Sequence, residues 1–100
     1  MIHVLAVITT KPGMRDAVLG HARANLAAVR AEKGCIEYGP AIDAEGFPPL
    51  YGPDTFVVIE KWETAADLRA HAVAPHMAAY GAKVKDMIAN RAIHVLSPAA

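Results

Sequence analysis

The sequence predicts an α+β fold: a ferredoxin-like plait of order β-α-β-β-α-β, with helices covering one face of a four-stranded antiparallel sheet. Three observations carry this reading. β-Branched stretches with strand periodicity alternate with two segments of helical period, and turn residues fall between them. The strands are apolar on both alternations, whereas helices can cover only one side. Finally, 54% of the 100 residues are hydrophobic, above the roughly 45–50% usual for soluble domains. The last two points predict a second apolar sheet face, which a homodimer packed face to face would hide.

The first strand is Ile2 to Thr10 (IHVLAVITT), with Ile2, Val4, Ala6 and Ile8 on one side and Leu5 and Val7 on the other. Lys11, Pro12 and Gly13 end it. From Met14 to about Lys33 the period becomes 3.6, with Met14, Val18, Ala22, Leu26 and Val29 in one stripe. Gly34 closes that helix. Cys35 to Ile42 is the second strand; Pro40 cannot donate to a ladder and puts the segment at a sheet edge or bulge. Asp43 to Asp54 is a long loop with three prolines and two aromatic residues, either functional or mobile. Thr55 to Glu63 is the third strand, with Phe56, Val58, Glu60 and Trp62 pointing one way. Thr64 caps a short helix, with Asp67 three residues on. Pro75 breaks that helix and suits the first turn of another. The new helix is expected to reach about Asn90, with Met77, Tyr80, Val84 and Ile88 on one face, leaving Arg91 to Leu96 as the last strand.

Composition bounds the partners. Ten basic and ten acidic residues cancel, and no basic stripe marks a nucleic-acid surface. No apolar run is long enough for a membrane span, and the N-terminus has no signal-like segment, so a cytoplasmic protein is the default. One hundred residues suffice for one domain and not two. The lone Cys35 excludes an internal disulfide and offers no zinc-ligand spacing. It reads as a small buried residue.

Four blocks resemble one family. Glu32 to Tyr38 (EKGCIEY) is similar to the E-x-G-C-x-x-Y stretch of the antibiotic biosynthesis monooxygenases. Ile59 to Glu63 (IEKWE) resembles their I-E-x-W-E strand, and His71 to Met77 (HAVAPHM) their H-x-x-x-P-H-M signature. Lys11 to Gly13 resembles their early turn. Tyr38 with Pro40, and Ala78 to Tyr80, look closest to the quinol monooxygenase branch. The resemblance implies a dimeric α+β barrel, two plaits packed sheet to sheet, with a pocket between sheet and helices in each. It implies oxygenation of quinols or polycyclic phenols by O2, with no metal, flavin or haem. Haem-degrading cousins use an Asn on the first strand, and none lies between Ile2 and Thr10. A non-catalytic pocket for a small aromatic, or a haem-binding relative, are the alternatives.

Such a reaction needs a base, an apolar cavity and donors for developing negative charge. Histidine titrates nearest neutrality, so His76 and His71 are the candidate catalytic bases. His76 leads by its place at a helix start. Either could instead be structural, as a cap or as filling in the helix–sheet seam. Trp62, Tyr38, Tyr80 and Met77 are candidate substrate-binding residues, though each would serve equally in a core. Glu60 is expected to be paired on its strand face or to meet an arginine of a second subunit. His3 and His94 lie on strands that neighbour each other in this fold; solvated or interface histidines are the plainer reading than a metal pair.

Overall fold

The computed structural model describes residues 1–100. Its elements are β1 (Ile2–Thr10), α1 (Arg15–Arg30), β2 (Cys35–Ala41), β3 (Thr55–Trp62), α2 (Ala65–Ala72), α3 (Pro75–Val84) and β4 (Ile88–Leu96). The four strands form one sheet in the order β2-β3-β1-β4, and every pairing is antiparallel. β2 is an edge strand, which accommodates Pro40, and a register shift between Cys35 and Glu37 bulges its start.

Register sorts the side chains. Val4, Ala6 and Ile8 of β1 stand beside Glu60, Val58 and Phe56 of β3 and Val95, Ile93 and Arg91 of β4. This face meets the helices. One buried cluster joins Ala6, Phe56 and Val58 to Val18 and Leu19 of α1 and Val84 of α3. A second joins Val4 and Trp62 to Val29. The opposite face carries Leu5, Ile59 and Leu96, all exposed. Only 14 of the 100 residues are buried, because half of the sheet has nothing on it.

Local chemistry fixes the helix ends. Gly34 follows α1 with φ of 78°, a left-handed conformation that an L side chain adopts at a cost. A Cβ there would also collide with the Asp67 carboxylate. Asp67 N–H donates to Thr64 Oγ1 at 3.1 Å, and that hydroxyl donates to Asp67 Oδ2 at 2.9 Å, capping α2. α2 ends at Ala72, Ala74 turns extended, and Pro75 opens α3.

The end of α3 departs from the sequence expectation. The helix stops at Val84 rather than near Asn90, and β4 begins at Ile88. Ile88 continues the helical stripe by spacing, yet it packs on the same core cluster as a strand residue opposite Thr10. Lys11 N–H bonds the Met87 carbonyl at 2.8 Å, so sheet pairing captures the segment. Likewise α1 is a turn shorter at its C-terminus than its periodicity suggested, leaving Glu32 in the connection to β2.

Candidate functional site

A cavity of about 250 Å³ lies between the sheet and α2–α3. Its walls are mostly apolar, including Val4, Ala6, Val58, Leu68 and Ile93. The polar groups on it are Glu60 and His71 near one end, Arg91 near the other, and the phenols of Tyr38 and Tyr80. On its β4 side the lining residues Arg91 and Ile93 are exposed.

His71 sits in the last turn of α2, and His76 follows Pro75 in the first turn of α3. In one continuous helix these positions would point about 140° apart. The break at Pro75 lets both imidazoles reach one carboxylate. Glu32 Oε2 lies 2.8 Å from His71 Nδ1 and 2.8 Å from His76 Nε2. A carboxylate oxygen only accepts, so both nitrogens carry the proton and donate. His71 then keeps its lone pair on Nε2, which has no protein partner, and its ring borders the cavity. Exposure rises along the chain, from 8% for the His71 side chain and 13% for Glu32 to 29% for His76. No other three ligating side chains in the molecule come as close together.

Trp62 backs the His71 ring. It is fully buried, and its ring centroid is 4.7 Å from that of His71 at a 34° tilt. Its indole N–H donates to Glu60 Oε1 at 2.9 Å. Tyr38 meets the same imidazole edge-on at 5.4 Å. So the His71 ring is held by one hydrogen bond and two aromatic contacts. Met77 lines the cavity while its sulfur accepts from Asn25 Nδ2 at 3.3 Å, tying α3 to α1.

The electrostatics follow burial. Glu60 is pushed above the ordinary carboxylate range by desolvation, opposed by the Trp62 hydrogen bond and the neighbouring His71. Burial raises both the Tyr38 and Tyr80 phenols, with Arg91 opposing the shift at Tyr80. Both therefore remain hydrogen-bond donors at neutral pH.

Of the residues singled out in the sequence, His71, Tyr38, Tyr80 and Met77 reach the cavity wall. His76 and Trp62 do not. His76 instead lines a surface depression with His21, Asn25 and Lys83. Trp62 falls short because its ring turns into the seam between Val4 and Val29. Glu60 faces the helices, not a second subunit, and its donor is Trp62. Sequence reasoning gave Glu32 and Arg91 no role. Glu32 had two available signals: it heads the E-x-G-C-x-x-Y block, and it is an acid just past a helix C-terminus, where the dipole favours a cation.

Comparison with known proteins adds the following. The family model described as antibiotic biosynthesis monooxygenase matches residues 1–83. The chain is 38% identical over 102 residues to YgiN of Escherichia coli K12, named a probable quinol monooxygenase, covering 98% of each chain. Among solved structures it resembles PA3566 from Pseudomonas aeruginosa, with a TM-score of 0.84, 28% identity and coverage of 99% of this chain and 94% of that one. Rv0793 from Mycobacterium tuberculosis gives a TM-score of 0.82 at 27% identity, covering 99% and 95%.

Proposed function

The chain belongs to the antibiotic biosynthesis monooxygenase family, and on that premise we propose that it oxygenates a small quinol or phenol with O2 in the cavity beside His71. The observation that carries this reading is the Glu32–His71 hydrogen bond, which leaves an acceptor nitrogen on a ring that borders an apolar cavity. His71 is the base, Glu32 orients it, and His76 anchors Glu32 from the far side.

The steps are these. His71 Nε2 takes the hydroxyl proton of the bound quinol. A quinolate is electron-rich enough to pass one electron to O2, forming a semiquinone and superoxide. The two recombine at a ring carbon bearing hydrogen. The O–O bond of the resulting peroxide then breaks, one oxygen leaving as water. Overall, quinol plus O2 gives hydroxyquinone plus water, and no outside reductant is consumed. The Tyr38 and Tyr80 hydroxyls and the Arg91 guanidinium supply donors and positive charge for the anionic stages. The apolar walls exclude water, which would quench them.

Cavity size narrows the substrate. A dry cavity of ~150 Å³ holds one benzene, so about 250 Å³ suits one or two fused rings. A haem macrocycle exceeds it. The bare sheet face with Leu5, Ile59 and Leu96 supports a sheet-to-sheet homodimer, within which each copy keeps its own cavity.

The test is oxygen uptake by purified protein given reduced menadione, with ¹⁸O₂ as tracer. The reading expects uptake well above the spontaneous rate, one labelled oxygen in a hydroxylated quinone, and no oxygen returned on adding catalase, since the second oxygen leaves as water rather than as free peroxide. Uptake equal to the protein-free control, with the aromatic still bound, would instead identify a ligand-binding dimer.

A further inference from the structure

The Glu32–His71–His76 cluster has a capability that the proposed reaction does not use. Its three donor atoms, one carboxylate oxygen and two imidazole nitrogens, lie within 4.8 Å of one another. They come from three places that the fold holds independently: the turn after α1, the end of α2 and the start of α3. We propose that these side chains form a site for a divalent transition ion of the zinc class, and that the bound ion switches off the base at His71.

The donor set decides the ion. Two imidazoles and a carboxylate suit zinc, cobalt or nickel, whereas magnesium and calcium prefer all-oxygen sites. Three protein ligands leave a fourth tetrahedral position for water. With metal–ligand bonds of ~2.0–2.2 Å, the edges of such a tetrahedron are about 3.4 Å. The two carboxylate–imidazole contacts are 2.8 Å and the two nitrogens lie within 4.8 Å of each other, so the carboxylate oxygen would withdraw from each nitrogen by about half an ångström. His76 gives the route in. It borders the surface depression with His21, Asn25 and Lys83 and is not part of the cavity lining, although Tyr80 borders both. An ion can therefore arrive while the cavity is occupied.

The switch is a change of tautomer. Bonded to Glu32, His71 carries its proton on Nδ1 and its lone pair on Nε2. An ion takes the Nδ1 lone pair, so the neutral ring must hold its single proton on Nε2. His76 makes the reverse exchange, from Nε2 to Nδ1. No proton is gained or lost, but the nitrogen left for the cavity becomes a donor and can no longer accept from a quinol. This consequence rests on the function proposed above; the site itself does not.

The experiment adds Co²⁺ to the chelator-treated full chain and follows its visible d–d absorption, with Zn²⁺ measured in parallel by calorimetry. One ion per chain is expected, weakened more than about tenfold in Glu32→Gln and in His76→Ala, and unchanged in His94→Ala on the outer sheet face. Circular dichroism checks each variant; His76→Ala alters the more exposed ligand and keeps the test alive if Glu32→Gln misfolds. Absence of a Co²⁺ band, binding that survives both substitutions, or binding lost in His94→Ala would each overturn the site. One equivalent of Zn²⁺ should also stop menadiol oxidation, and EDTA should restore it. Binding with the expected variant pattern but undiminished oxidation overturns the switch alone. Binding by a protein that never oxidises menadiol upholds the site and sinks the oxygenase reading.

Discussion

Replacing Trp62 by Phe should destabilise the protein by an amount that depends on pH. Two effects are involved. Phe leaves part of the space behind His71 unfilled, a packing loss of roughly 1–2 kcal/mol that does not vary with pH. It also removes the indole N–H, which is the one hydrogen-bond donor to Glu60, a residue 6% exposed. A hydrogen bond to a charged group is worth ~1.5–3 kcal/mol. The sign follows from burial, which raises the Glu60 pKa above its ordinary 4.5. A raised carboxylate makes the folded state bind more protons than the unfolded one, so stability falls as pH rises from about 4.5 through the folded pKa. Without the Trp62 donor the folded pKa rises further and the loss at high pH grows. Urea unfolding of wild type and Trp62→Phe at pH 4.5 and 8 is the assay. The variant should lose ~1–2 kcal/mol at the lower pH and ~2.5–5 kcal/mol at the higher. In a Glu60→Gln background, which carries no charge to strand, the pH-dependent part should disappear. An equal loss at both pH values, or full additivity with Glu60→Gln, would refute the reasoning.

Further outcomes follow from single positions. Gly34→Ala puts a Cβ on a left-handed residue and into Asp67; a stability loss of at least ~1–2 kcal/mol is expected by thermal unfolding. Thr64→Ala removes the α2 cap and should cost ~1 kcal/mol, with faster amide exchange in the first turn of α2. Asp43 accepts from the Gly52 N–H and, secondarily, the Tyr51 N–H, which holds its carboxyl below the usual range. The loop closure it provides is therefore present above the ordinary carboxylate pKa and is lost as pH falls through the depressed value. Asp43→Ala should accelerate proteolytic cutting between residues 44 and 50, where Phe47 and Leu50 are exposed, while leaving the melting temperature nearly unchanged.

The sequence made the architecture legible because its punctuation is strong. Pro40 sits on an edge strand, Thr64 caps α2 and Pro75 opens α3, each where backbone chemistry demands; Gly34 takes its left-handed turn only after α1 has ended at Arg30. The end of α3 was not legible, because Tyr80, Val84 and Ile88 keep the helical spacing even after the chain has joined the sheet. Strand alternation correctly placed Phe56, Glu60 and Trp62 on one face. It could not say that Trp62 turns away from the cavity, since that depends on a rotamer chosen by packing. Local position likewise made His76 look the better base than His71. Both bond the same Glu32 carboxylate at 2.8 Å; what favours His71 in the proposed function is that its ring, and not that of His76, lines the cavity, and no local pattern reports which ring the tertiary packing turns inward.

The central claim is that His71 performs the chemistry and His76 only supports it. Oxygen uptake with reduced menadione, measured for His71→Ala and His76→Ala beside the wild type, tests this most directly. Loss of the base in His71→Ala should slow turnover by about 100-fold or more. His76→Ala, which leaves the Glu32–His71 bond in place, should retain most of the rate. Full activity in His71→Ala, or a larger loss in His76→Ala than in His71→Ala, would contradict the account.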